Sequence, residues 1–139
     1  MASVPFHYID LRAFCYATED DQRVEDALDA YLPEEAEIER MKSEGHLGDR
    51  ILILSARVEN ADEMRHILGK LRELDDIEQV RGELDQRVDD NCSFFISLDK
   101  QAAYRDEVRL GQGITLRAKV EAYPAKKEAA VENAKEALS

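Results

Sequence analysis

Between Asn91 and Val120 the chain gathers positive charge. Lys100, Arg105, Arg109, Arg117 and Lys119 stand against Asp99, Asp106 and Glu107, a net +2 in a chain whose total is −12, so the remaining residues carry −14. A basic island in an acidic chain is the footprint expected where a phosphate backbone docks, because Lys and Arg displace the counterions condensed on nucleic acid. Phe95 and Tyr104 lie in the same segment and offer ring faces on which unpaired bases stack. Arg12, outward on an early strand, joins the set if the strands are neighbours. The same bases would serve equally as partners of surface acids, since exposed arginine–carboxylate pairs are routine.

No catalytic constellation accompanies them. The Gly45–Gly48 pair lacks the lysine and hydroxyl that follow in a phosphate-cradling P-loop. His7, His46 and His66 have no ligand partners at metal spacing. His46, inside the glycine loop, is the histidine placed to meet a ligand, although a loop role accounts for it as well. With 31 acidic residues, carboxylate pairs arise by chance and say nothing about acid/base work. Asp89-Asp90-Asn91 reads as a solvated turn before a cation site. With no nucleophile converging on a base, the expectation is a protein that is not an enzyme and holds no cofactor and no metal.

Composition sets further bounds. Hydrophobic residues make up 44% of 139 and recur periodically, which is the pattern of a globular chain rather than a disordered one. No apolar run reaches the eighteen residues of a membrane span, and Met1-Ala2-Ser3-Val4-Pro5 has no signal-peptide layout, so a cytoplasmic location is expected. Arginine supplies 12 of the 19 bases, and the acids are spread along the chain. An acidic, lysine-poor surface fits a salty cytoplasm, where repulsion between carboxylates is screened within about 3 Å at 1 M salt. Cys15 and Cys92 fall inside expected strands without metal spacing and read as reduced, buried thiols.

The elements that must position these side chains can be read in order. Phe6 to Ala17 alternates as a long strand, with Ile9, Leu11, Ala13 and Cys15 on one side and Tyr8, Asp10, Arg12, Phe14 and Tyr16 on the other. Thr18 is placed to cap a helix carrying Val24, Ala27, Leu28 and Tyr31, which stops at Pro33. Glu37 to Ser43 is a weak edge strand. Arg50 to Val58 predicts a central strand, then Asn60 and Glu63 set a capping box for a helix with Met64, Ile67, Leu68 and Leu71 inward. Asp75 and Glu78 repeat the cap before Ile77, Val80, Leu84 and Val88, with Gly82 a liability of about 1 kcal/mol. Cys92 to Leu98 is a strand with Phe94, Ile96 and Leu98 inward and Ser93, Phe95 and Ser97 outward. Asp99 caps a short helical turn to Arg105, Gly111 and Gly113 flank a turn, and Ile114 to Ala122 alternates cleanly. Pro124 opens a last helix anchored by Val131, Ala134 and Leu138, its end expected to fray. The elements do not alternate strictly as βαβ, which favours an α+β fold.

Three stretches together resemble a known family. Phe6-His7-Tyr8-Ile9-Asp10-Leu11-Arg12-Ala13-Phe14-Cys15-Tyr16-Ala17-Thr18-Glu19-Asp20, Glu44-Gly45-His46-Leu47-Gly48-Asp49-Arg50-Ile51 and Leu98-Asp99-Lys100-Gln101-Ala102-Ala103-Tyr104 are similar to segments of the archaeal RNA-binding-domain proteins. The likeness runs from about Phe6 to Pro124. It implies a ribosomal-protein-L-five-like fold, RNA binding and a link to the archaeal exosome or ribonuclease P; the acidic, lysine-poor composition adds the expectation of a haloarchaeal source. Where relatives are expected to carry a glycine soon after the tyrosine and an Asp-Pro before the last strand, this chain has Arg105-Asp106 and Gln112-Gly113.

The expectation is therefore one α+β domain over residues 1–139, with an antiparallel or mixed sheet of four to five strands, helices on one face and residues 124–139 as a terminal helix. Its RNA contacts are expected at Arg12, Phe95, Lys100, Gln101, Tyr104, Arg105, Arg117 and Lys119, with Gly45, His46, Gly48 and Arg50 as loop candidates. Expected partners are RNA and exosome or ribonuclease P subunits, with no membrane. The alternative is a protein–protein adaptor or homodimer joined through exposed Phe95, Tyr8 and Phe14.

Overall fold

The computed structural model describes residues 4–45 and 48–139. Strand β1 (Phe6–Tyr16) leads into helix α1 (Asp21–Asp29), then β2 (Glu39–Glu44), β3 (Arg50–Val58), α2 (Ala61–Leu71), α3 (Ile77–Gly82), α4 (Leu84–Arg87), β4 (Ser93–Asp99), α5 (Lys100–Ala103), β5 (Gly113–Val120) and α6 (Lys127–Ala137). The five strands form one sheet in the order β2-β3-β1-β5-β4, and every neighbouring pair is antiparallel. No helix of the described residues is long and apolar enough to cross a membrane.

Period-two alternation places one side of each inner strand against the helices. Ile9, Leu11, Ala13 and Cys15 of β1 are at most 1% exposed, and Leu54 of β3 and Leu116 of β5 join them. Helix α1 packs on β1 and β3, α2 on β1, α4 on β4 and α6 on β5. Their buried side chains and those of the strands form one apolar cluster. The opposite side of the sheet is left open.

Several local expectations are corrected. The middle of the sheet is β1, not β3, whose apolar run reflects burial and not the strand order. Asp20, not Thr18, caps α1, its carboxylate accepting from Gln22 N at 2.9 Å and Arg23 N at 3.4 Å. Asn60 does cap α2, accepting from Asp62 N at 2.8 Å. The helix expected from Asp75 starts after Asp76 without a side-chain cap bond, and breaks after Gly82 into α3 and α4. That break is the cost of glycine in a helix interior made visible. Ser93 keeps the outward register of Phe95 and Ser97 but is only 8% exposed; beside it the Asp89 carboxylate accepts from Asn91 N and Ser93 N, both at 2.9 Å.

The last helix begins at Lys127, three residues past Pro124, and buries Ala130 and Ala134 completely, with Val131 only half-buried. Its end is tied where fraying was expected. The Arg72 guanidinium donates to the Ala137 carbonyl at 2.9 Å, and Arg81 donates to the Lys135 carbonyl at 3.3 Å, which satisfies orphan carbonyls of the final turn.

Candidate nucleic-acid interface

The open side of the sheet is built by the residues that alternate away from the helices. Register sets them in rows across the strands. Ser55, Arg12, Thr115 and Ser97 form one row, on β3, β1, β5 and β4 in turn. Arg57, Asp10, Arg117 and Phe95 form the next. On the other side of the first row, Met41 and Ile53 stand level with Phe14. Arg12, Arg57, Arg117, Thr115, Ser97 and Phe95 are all exposed.

Asp10 organises the charge on this face. Its carboxylate accepts from Arg57 Nε at 2.7 Å and Nη2 at 2.9 Å, a bidentate pair, and from Arg117 Nη2 at 3.5 Å. The Arg57 guanidinium also lies 4.0 Å from the centre of the Tyr8 ring, so Tyr8 is roofed over. Arg12 makes no side-chain ion pair among the described residues and lies within the same surface. A shallow cavity of about 260 Å³ opens here, lined by Asp10, Arg12, Phe14, Phe95, Thr115 and Arg117. A larger one of about 580 Å³ adjoins it, walled on one side by Glu35, Glu37, Glu39 and Glu63, where β2 ends short of the last residues of β3.

The sequence-predicted residues divide. Arg12, Phe95 and Arg117 come together on the open face. Lys119 borders it, in register with Tyr8 and Ser93, and its ammonium donates to the Asn91 carbonyl. Lys100 does not reach the face. It is 7% exposed, and its ammonium donates to the Phe14 carbonyl at 3.0 Å and to the Glu19 carboxylate at 2.8 Å. Tyr104 packs on the helix side, with the Arg23 guanidinium of α1 4.6 Å from its ring centre, and burial together with the Glu19 charge raises its pKa. Gln101 and Arg105 are exposed beside it on the same short helix and turn, and Arg105 shares the Glu107 carboxylate with Arg109 at 3.7 and 3.0 Å. The basic island is thus contiguous in sequence and split in space.

Only the two ends of the glycine loop lie among the described residues. Gly48 N donates to the Gly45 carbonyl at 3.0 Å, and Gly48 has φ 81°, which favours glycine. His46 lies outside the described residues. Arg50 points to the helix side, where it pairs with Asp21 at 2.6 Å; the same carboxylate accepts from the Cys15 thiol at 3.2 Å. Burial, then the Asp21 hydrogen bond and charge, push the Cys15 pKa up to about 11. Cys92 is also a free buried thiol, at the other end of the sheet, beside Val120 rather than Ile114. No group of three or more His, Cys, Asp or Glu side chains among the described residues is arranged to hold a metal ion.

Arg57 and Thr115 were not singled out by the sequence. The signal was present: Arg57 alternates with Ser55 and Ile53 on β3, away from Leu54 and Ala56. Strand alternation, not local charge density, locates the open face.

A family model described as RNA binding matches residues 8–120, nearly all of the sheet from β1 to β5. The chain belongs to this RNA-binding family. One relative is an RNA-binding protein of Pyrococcus abyssi, 37% identical over 95% of this chain and 93% of its own length. Two solved structures of DUF54 proteins share the fold. That from Archaeoglobus fulgidus is 29% identical, covers 95% of this chain and 99% of its own, and superposes with a TM-score of 0.85. That from Methanothermobacter thermautotrophicus is 38% identical, covers 96% and 98%, and superposes with a TM-score of 0.81.

Proposed function

We propose that this protein binds RNA directly and without catalysis, through the open face of its sheet, as an accessory to archaeal RNA processing or degradation. One observation carries the reading. In a chain of net charge −12, Arg12, Arg57 and Arg117 are grouped with Phe14 and Phe95 on a single surface that the helices do not cover. Membership of the RNA-binding family and the name of the Pyrococcus abyssi relative support it. The partners that fit are RNA together with exosome or ribonuclease P subunits, in the cytoplasm of a haloarchaeon, on a fold of the ribosomal-protein-L-five kind.

The acidic remainder of the surface constrains how the face works. Affinity drawn from counterion release falls as salt rises. In a salty cytoplasm, stacking and hydrogen bonds must therefore supply most of the affinity. The test is anisotropy with structured RNA at low salt. Arg12→Glu combined with Arg117→Glu weakens binding at least tenfold; unchanged affinity in the folded double variant overturns the placement on this face.

A second reading, a protein–protein adaptor or homodimer, draws on one observation of its own. Met41 is 65% exposed on β2, an edge strand whose residues are all exposed, and it continues the row of Ile53 and Phe14. A concentration-dependent increase in mass without nucleic acid would favour it.

A further inference from the structure

Resting on the RNA-binding reading, we infer that the open face holds a seat for one unpaired base of a single-stranded RNA, between Phe14 and Phe95 with Thr115 as its floor. Thr115 is central in the register. Arg12 and Ser97 flank it directly on the neighbouring strands, and Phe14 and Phe95 stand diagonally on either side. Each phenylalanine is thus a diagonal neighbour of Thr115, about 7–8 Å from it and within reach of an aromatic side chain, on the two strands that flank β5. Both phenylalanines line the same 260 Å³ cavity. That volume falls just below the about 300 Å³ at which sites for drug-sized molecules begin, and it suits one planar ring system.

The chemistry around the seat matches a nucleotide. Phenylalanine faces take any base by stacking, without sequence preference. The hydroxyls of Thr115 and Ser97 offer a donor and acceptors to a base edge or a ribose 2′-hydroxyl, and no other hydrogen bond holds either side chain among the described residues. Arg12, beside Thr115 and without an ion pair among the described residues, is placed to meet the adjoining phosphate.

Charge argues for a single strand over a duplex. Asp10 already engages Arg57 and Arg117, so two of the three arginines on the face are partly neutralised. The neighbouring hollow, which Arg12, Arg57 and Arg117 also line, adds the carboxylates of Glu35, Glu37, Glu39 and Glu63. A duplex brings two rows of phosphates and keeps its bases stacked inside; it would meet these carboxylates and leave the phenylalanines without partners. A single strand crosses the basic patch alone and can turn a base into the seat.

The experiment compares an eight-nucleotide single-stranded RNA with a fully paired RNA duplex of the same length, by anisotropy at low salt, with wild type, Phe14→Leu and Phe95→Leu. Melting curves confirm that each variant is folded. The single strand is expected to bind wild type at least tenfold more tightly than the duplex. Each leucine variant is expected to lose about tenfold on the single strand and nothing on the duplex. Equal affinity for the two RNAs, or wild-type affinity in both folded leucine variants, overturns the seat while leaving RNA binding in place. Failure of wild type to bind either RNA overturns the RNA-binding reading as well.

Discussion

The Lys100 ammonium lies 2.7 Å from the Glu19 carboxylate, and the pair closes the top of the sheet. Lys100 starts α5, directly after β4, while Glu19 belongs to the turn between β1 and α1 and also accepts from Tyr16 N at 3.1 Å. The lysine therefore ties an outer strand to the end of the middle one. It reaches there across Gly113, whose missing side chain leaves the path open: a Cβ at that position would stand 2.5 Å from Lys100 Cβ. Gly111 clears the neighbouring position, where a Cβ would stand 2.6 Å from Asp99 Cβ. The Asp-Lys-Gln-Ala-Ala-Tyr stretch and the glycines at 111 and 113 form one structural clamp.

Lys100→Met should destabilise the fold. Removing one partner of a buried pair costs about 3 kcal/mol because the other charge stays behind, which for a chain of this size lowers Tm by about 10 °C. Single-strand RNA affinity at a temperature where the variant is folded should match wild type, since Lys100 does not line the open face. Thermal melts and anisotropy on the same preparation check both halves.

Glu19→Gln should change how stability depends on pH. Burial pulls the Glu19 pKa up, but the hydrogen bonds from Lys100 and Tyr16 N outweigh it and hold the group below the ordinary 4.5. A carboxyl whose folded pKa is depressed contributes stability above its unfolded value, and the contribution is lost as pH falls through the folded one. Wild type should therefore exceed Glu19→Gln by a constant margin from about pH 7 to pH 5, and the margin should close below pH 4.5. A margin that persists to pH 2 would contradict the assignment.

Gly113→Ala should cost about 2 kcal/mol or more. Gly113 has φ 113°, a conformation that side-chain-bearing residues avoid, and the added methyl would strike the first carbon of the Lys100 side chain, which cannot swing aside. Denaturant unfolding measures the loss. Gly82→Ala, with nothing within 4 Å of the added carbon, serves as the control and should not destabilise.

Asp10→Asn should strengthen RNA binding. Releasing Arg57 and Arg117 from the carboxylate makes both available to phosphate, so affinity at low salt rises about threefold to tenfold. Each added phosphate contact to a single strand steepens the slope of log affinity against log salt by about 0.7. A titration series at several salt concentrations reads both effects; an unchanged slope would show that the two arginines do not meet phosphate.

Much of the sheet was legible because one face is buried: alternation in β1, β4 and β5 shows which residues point inward. The strand order was not, since Arg50–Val58 and Phe6–Tyr16 both read as inner strands and nothing local says which neighbours both β3 and β5. The interface was half legible. Arg12, Phe95 and Arg117 alternate outward, so their shared face follows once the strands are adjacent. Counting charge along the chain groups Lys100 and Arg105 with Arg117, but α5 turns the segment after Asp99 away from the sheet's open side, which the count does not show. Arg57, outside the island, needed the β1–β3 register to be seen. The Lys100–Gly113 contact depends on a close approach that no spacing rule encodes.

The position of β1 has a consequence for biosynthesis. Its partners lie at very different distances along the chain: Leu11 meets Ala56 on one side and Leu116 on the other. A ribosome delivers β1 before either partner and β5 only after β2, β3 and β4, so until Gly113–Val120 emerges the growing chain holds β1 with one ladder of N–H and C=O groups unpaired. Such an edge is a template for joining another chain. Polypeptides cut short before β5 should therefore aggregate or be degraded, and the ordered sheet should appear only once β5 has emerged, in one step.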